Sequence, residues 1–268
     1  MIKAIDAHIH LDMYTESAAR TLLTELAECR IEALIAVSRH LDSCKATEQL
    51  LLQAPEQVFP AYGYHPEQDL PTENQLNDLN KWICEHSSRM IAVGEIGLPY
   101  YMRLEAEAQG RVFDLAPYIA LLESFLKLAV ELDKPVVLHA VYEDADIVCD
   151  LLEKHGMKKA HFHWFKGSHS TVERMIQAGY FISITPDVLY EEEIRTLVRN
   201  YPITLLMVET DGPWPFEGPF EGQQTHPRMV HAVIEQIALL KGLPVEEAAH
   251  TLLNNTKQFY GIPTPHLF

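Results

Sequence analysis

The chain has 268 residues, 47% hydrophobic and 22% charged, a globular composition long enough to bury one large core. Asp and Glu number 38 against 21 Lys and Arg, and the formal charge of −17 argues against a nonspecific, groove-wide nucleic-acid binder. No apolar run reaches the length of a membrane span and no basic n-region with an apolar h-region opens the chain, so the expected setting is the cytoplasm, with no membrane and no protein partner implied and a monomer as the default.

Short apolar, β-branched runs alternate with longer amphipathic segments. Strands are predicted at Lys3–His8, Glu32–Val37, Val58–Tyr62, Met90–Glu95, Pro135–His139, Ala160–His163, Tyr180–Ile184 and Thr204–Glu209. Between them the 3.6-residue period predicts helices at Ala18–Cys29, Glu73–His86, Pro117–Leu132, Asp144–His155, Thr171–Ala178 and Glu191–Arg199. Two more, Pro227–Lys241 and Val245–Tyr260, follow the last strand. Eight strands alternating with helices imply parallel crossovers, and the count closes an α/β (β/α)8 TIM barrel. An open doubly wound sheet is the alternative, but no Gly-x-Gly-x-x-Gly turn follows a strand. Without an internal repeat, low-complexity tract or linker, residues 1–268 read as one domain. Cys29, Cys44, Cys84 and Cys149 have no Cys-x-x-Cys spacing and read as buried free thiols in a reducing compartment.

Polar residues collect at the C-terminal ends of the predicted strands. His8 and His10 end the first and point to one face, because side chains alternate with period 2. Glu95 ends the fourth strand, His139 the fifth, His163 the sixth and Asp211 the eighth, on the face where such barrels build active sites. Taken singly, each has a bland reading as a hydrogen-bonded core histidine or a turn carboxylate. Four imidazoles and two carboxylates buried together without cations would be costly. Six ligands exceed the three that an open zinc site uses and suit two divalent ions. His8, His10 and Asp211 would hold one ion and His139 and His163 the other, with Glu95 bridging them. Asp211 is the expected general base, beside a water that the ions would drive toward hydroxide. The ligand set leaves the metals open among Zn, Mn, Mg, Fe and Ni.

Six stretches carry a resemblance: Ile5-Asp6-Ala7-His8-Ile9-His10-Leu11-Asp12, Gly63-Tyr64-His65-Pro66, Gly94-Glu95-Ile96-Gly97-Leu98-Pro99-Tyr100-Tyr101, Val137-Leu138-His139, His163-Trp164-Phe165-Lys166-Gly167 and Glu209-Thr210-Asp211-Gly212-Pro213. In this order, over nearly the whole chain, they resemble the TatD family of metal-dependent hydrolases and deoxyribonucleases in the amidohydrolase superfamily. The resemblance implies a TIM barrel, a divalent metal pair and hydrolysis of phosphodiester bonds, typically in DNA. It implies the same six ligands and assigns His65 to the substrate phosphate.

The chain departs from the family pattern in four places. Pro99 replaces an aspartate, and Ala140-Val141 stands where Ser-Arg is usual, so a bidentate phosphate clamp is missing. Lys166 stands where a serine is usual and is a candidate for the missing positive charge on the substrate. Arg103 and Arg111 fall in what reads as a long loop after Glu95, where ion pairs with Glu105 or Glu107 are expected. The segment Trp214-Pro215-Phe216-Glu217-Gly218-Pro219-Phe220-Glu221-Gly222 is aromatic and acidic, suited to stacking on a ring or covering a small pocket. The leading expectation is a phosphoester hydrolase, with DNA or short oligonucleotides among its substrates. The second is an amide, lactone or carboxyl-ester hydrolase, and the third a barrel that binds without turnover.

Overall fold

The computed structural model describes residues 2–263. Eight strands, β1 (Ala4–Ile9), β2 (Ile31–Val37), β3 (Val58–Tyr62), β4 (Ala92–Gly97), β5 (Val136–His139), β6 (Ala160–Phe162), β7 (Phe181–Ile184) and β8 (Leu206–Val208), pair in chain order, each parallel to the next. The helices are α1 (Glu16–Glu25), α2 (Leu41–Gln53), α3 (Glu73–His86), α4 (Tyr100–Ala108), α5 (Ala116–Glu131), α6 (Glu143–Lys154), α7 (His169–Ala178), α8 (Glu192–Asn200), α9 (Val230–Lys241) and α10 (Val245–Tyr260). This is the expected (β/α)8 barrel. The strands are near-continuous hydrophobic runs because both faces are covered. Ile5, Ile35, Val137 and Met207 form one buried cluster with Phe259 and Tyr260 of α10, while a larger cluster lies between strands and helices. No helix among the described residues is long and apolar enough to cross a membrane.

Helices α2 and α4 have no counterpart among the expected ones. The cap of α2 is the His40 ring, which accepts the Ser43 amide at 3.3 Å, not one of the usual Ser, Thr, Asp or Asn caps. Helix α4 begins after Pro99 with no side-chain cap of its own; its first amides, on Tyr101 and Met102, donate to the Glu67 carboxylate at 2.8 Å each. A cap from 34 residues away leaves no local signature. All four cysteines are free, but the buried reading holds only for Cys44 and Cys149; Cys29 is partly buried and Cys84 is exposed on α3.

The seam between β8 and β1 sets the position of the site. Beyond β8 the Asp211 amide donates to the His8 carbonyl at 2.9 Å, and the His10 amide to the Gly212 carbonyl at 2.8 Å. Below them the buried Asp6 carboxyl takes the place of a strand partner, accepting the Thr210 amide (3.0 Å) and hydroxyl (2.5 Å). Burial dominates this group and pushes its pKa up to about 8, despite the Thr210 hydrogen bonds. Across the barrel the β4 turn touches β5 without room to spare: a Cβ on Gly97 would lie 1.9 Å from the His139 carbonyl oxygen.

Asp6→Ala strands the Thr210 amide, and the expected loss is about 3 kcal/mol in urea unfolding. The pH dependence has a definite sign. Folded Asp6 binds its proton more tightly than an unfolded aspartate, so its contribution is present below about pH 4 and fades as pH rises toward about 8. The stability of Asp6→Asn relative to the parent is therefore expected to improve steadily across that window; a flat difference would refute the assignment.

Candidate metal centre and substrate cavity

Glu95 is fully buried, and its two oxygens face different groups. Oε2 lies 3.2 Å from His8 Nε2 and 3.2 Å from His10 Nε2. Oε1 lies 2.7 Å from His163 Nε2, 3.1 Å from His139 Nδ1 and 3.3 Å from His65 Nε2. Asp211 closes the first group, with Oδ1 3.3 Å from His8 Nε2 and 3.4 Å from His10 Nε2. The barrel thus brings all six expected ligand residues together. His8 lies in β1, Glu95 in β4 and His139 at the end of β5, while His10, His163 and Asp211 lie just past their strands. His65 comes closer than a substrate contact requires: it stands among the ligands, its ring centroid 5.0 Å from that of His139 and 5.8 Å from that of His10.

The arrangement fits divalent cations. Glu95 Oε2 and Asp211 Oδ1 both approach His8 Nε2, and all three atoms are buried without a hydrogen-bond partner. Ligand atoms of one tetrahedral ion held at about 2.1 Å lie about 3.4 Å apart, close to the spacing observed. Three sets of ligand atoms converge this way: His8, His10 and Asp211; His8, Glu95 and His163; and His10, His65 and Glu95. Burial alone would raise the Glu95 carboxyl, but the His163, His65 and His8 rings outweigh it and hold it well below the usual range. Asp211 is lowered in the same way: burial opposes its charge, and His10 and His8 overcome it. Both carboxylates are thus held as anions by imidazoles that the same contacts push toward the protonated form, His10 up to about 9 and His139 and His163 above their usual value. A bound cation would take the place of those protons.

A second layer of carboxylates stands behind the rings: Glu67 bonds one of them, and Glu209 lies beside another beyond hydrogen-bond distance. Glu67, absent from the sequence expectations, places Oε1 3.3 Å from His139 Nε2. With Nε2–H donating there, the Nδ1 lone pair of His139 is turned toward Glu95 and His163, the orientation ligation needs. Glu209 accepts the Trp164 amide at 2.7 Å and lies 3.7 Å from His163 Nδ1. Behind it runs a buried relay. Ser183 Oγ donates to Glu209 (2.5 Å), His161 Nε2 stands 2.5 Å from Ser183 Oγ, and the Tyr260 hydroxyl stands 2.6 Å from His161 Nδ1. Burial, seconded by the neighbouring His8 and His163, depresses the His161 pKa well below its usual value. A neutral His161 with its proton on Nε2 satisfies every link.

Above the ligands opens a cavity of about 410 Å³, lined by His10, His65, Glu67, Tyr101, His139, Val141, His163, Trp164, Asp211, Trp214 and Pro215. Lys166 lines a separate depression with His169, Glu192 and Glu193, and its ammonium approaches Asp187 at 4.0 Å. Arg103 lies on α4, not in a loop, and is engaged at 2.9 Å by both Glu143 and Asp144, with Glu107 at 3.6 Å. Arg111 follows α4, its Nε donating to Gln109. The Glu67 geometry gives an expected outcome. Glu67→Ala, observed above the titration of the metal-free His139, shifts its neutral imidazole toward mixed tautomers in ¹⁵N NMR and lowers stability by about 1 kcal/mol through loss of the α4 cap. Glu67→Gln, which keeps an acceptor, should restore most of the His139 signal.

Comparison with known proteins identifies the family. The family model described as TatD related DNase matches residues 5–261. An uncharacterized metal-dependent hydrolase of Haemophilus influenzae is 38% identical over 255 residues, covering 95% of this chain and 98% of that one. The human deoxyribonuclease TATDN3 is 28% identical over 264 residues, covering 96% and 94%. The crystal structure of the TatD homologue YjjV from Escherichia coli K12 superposes with a TM-score of 0.83 at 26% identity, covering 97% of this chain and 98% of that one. With the family model matching nearly the whole of this chain, the chain belongs to the TatD family of metal-dependent hydrolases.

Proposed function

We propose that this chain hydrolyses phosphoester bonds with two divalent cations held by His8, His10, Glu95, His139, His163 and Asp211. The observation that carries the reading is Glu95, whose two oxygens each face more than one imidazole, as a bridging carboxylate would. When bound, the cations supply a water acidic enough to ionise near neutral pH and polarise the phosphoryl oxygen. His65, on the cavity wall beside Glu95, is placed to touch the substrate phosphate as well as the ligand cluster.

The residues divide the remaining work. Asp211, anionic and on the cavity wall, accepts the proton of the attacking water as its oxygen bonds to phosphorus and the bond to the leaving oxygen breaks. The same proton then passes to the leaving alkoxide, giving an alcohol and a phosphate monoester. Glu67 keeps the His139 ring aligned while this happens. The human relative is named a deoxyribonuclease, which supports a phosphodiester as the bond cleaved. Lys166, turned to Asp187 and away from the cavity, has no part in this reading.

One observation favours the second reading, carboxyl-ester or lactone hydrolysis: among the described residues no Lys or Arg lines the cavity. The test runs bis-p-nitrophenyl phosphate and a labelled DNA oligonucleotide beside p-nitrophenyl acetate and a lactone, on protein reconstituted separately with Mg²⁺, Mn²⁺ and Zn²⁺. Metal-dependent turnover of the diester is expected to exceed that of the carboxyl esters by orders of magnitude, and the reverse order would install the second reading. His139→Ala and Asp211→Ala are each expected to fall below a few per cent of parental turnover while unfolding cooperatively. A variant that stays more active than that loses its assigned role.

A further inference from the structure

We infer that the cavity above the metal ligands is a subsite for one flat ring carried by the phosphoester, sized for a single nucleoside and not for a polynucleotide strand; the inference rests on the phosphoesterase reading. At about 410 Å³ the cavity is near the small end of ligand pockets, which run from about 300 to 1,000 Å³. His10, His139, His163 and Asp211 place the reacting phosphate at the ligand cluster, and Tyr101, Trp164, Trp214 and Pro215 supply the rest of the wall. Nothing in the hydrolysis itself calls for three aromatic rings.

Those rings come from three separate places in the chain, and each is tied down at its backbone. The Tyr101 amide donates to Glu67 at 2.8 Å. The Trp164 amide donates to Glu209 at 2.7 Å and its indole Nε1–H to Asp187 at 2.6 Å. The Trp214 amide donates to the Asp211 carbonyl at 3.2 Å, and its carbonyl accepts the Thr225 hydroxyl. Yet Tyr101 and Trp214 leave about half of their surfaces in water, 52% and 49%. Anchored backbones carrying large uncovered rings offer a stacking platform in which only the side-chain rotamers remain to be ordered by a ligand.

Charge excludes the alternative occupant. A strand of DNA is held through its phosphates by Lys and Arg along a groove. Here the cavity wall carries Glu67 and, among the described residues, neither Lys nor Arg; Arg103 is spent on Glu143 and Asp144, and the chain bears a formal −17. Stacking tolerates any base and needs no cation, so a ring gains affinity here and additional nucleotides do not.

The experiment compares thymidine 5′-(p-nitrophenyl phosphate) with methyl p-nitrophenyl phosphate, which share a leaving group and differ in the ring. The expected kcat/KM ratio is about tenfold or more in favour of the thymidine ester, falling toward one in Trp214→Ala and in Tyr101→Ala. Phenyl p-nitrophenyl phosphate separates the sources: parity with thymidine assigns the subsite to any flat ring, and a preference for thymidine assigns it to a nucleobase. Extending the substrate from a dinucleotide to a twenty-nucleotide strand should add nothing further. A ratio of one that Trp214→Ala leaves unchanged, or a steady gain with strand length, overturns the subsite while leaving the phosphoesterase reading standing. If no phosphoester is turned over with any metal, that reading fails on its own, and binding decides the subsite. Thymidine 5′-monophosphate should quench tryptophan fluorescence in the parent and not in Trp214→Ala, and no quenching at millimolar nucleotide would overturn the inference.

Discussion

Glu95 is an anion buried at the mouth of a barrel, and most of what surrounds it answers that one constraint. An isolated carboxylate there would take up a proton, because burial disfavours its charge. Five histidines, from β1, the turns after β1, β3 and β6, and the end of β5, stand within 3.3 Å of its two oxygens and reverse that tendency. The same crowding that keeps Glu95 ionised leaves imidazole nitrogens and carboxylate oxygens facing one another without hydrogen-bond partners. A cation resolves both conditions together, so the electrostatic requirement and the chemistry of a metal-dependent hydrolase coincide at one residue.

The clustered histidines are in turn backed by carboxylates from other loops. Glu67 joins the β3 loop, the start of α4 and His139 through one carboxylate. Glu209 joins β8 to the His163–Trp164 turn and continues through Ser183 and His161 to Tyr260 on the last helix. These links run across the sheet, whereas backbone pairing runs only between neighbouring strands. They make the orientation of the His139 imidazole depend on segments far apart in the chain, and they tie two of the cavity's aromatic walls to carboxylates beside the histidine cluster.

The cavity also shows why family membership and substrate are separate questions. The chain belongs to a family of metal-dependent hydrolases, but the surface above its buried histidines and carboxylates is aromatic and acidic where a strand-tracking nuclease needs positive charge. Chemistry at the scissile bond belongs to the strand ends, while recognition belongs to the loops, and on this fold the two vary independently.

Periodicity alone revealed the eight strands, and the strand-end positions of His8, His10, Glu95, His139, His163 and Asp211 revealed which residues would meet. Both follow from rules that act locally, since alternation fixes the face of a side chain and parallel crossovers deliver every strand end to one rim. What the amino-acid order could not disclose depends on partners distant in sequence. Helix α4 is capped by Glu67 from another loop, so it read as a loop, and Arg103 with it. Lys166, one turn from a ligand, points to Asp187 because that carboxylate happens to be buried beside it. Glu67, Glu209 and His161 look like ordinary polar residues until the barrel closes and their partners arrive. A ligand can be read from its place on a strand, but the group that orients it is decided only by tertiary contact.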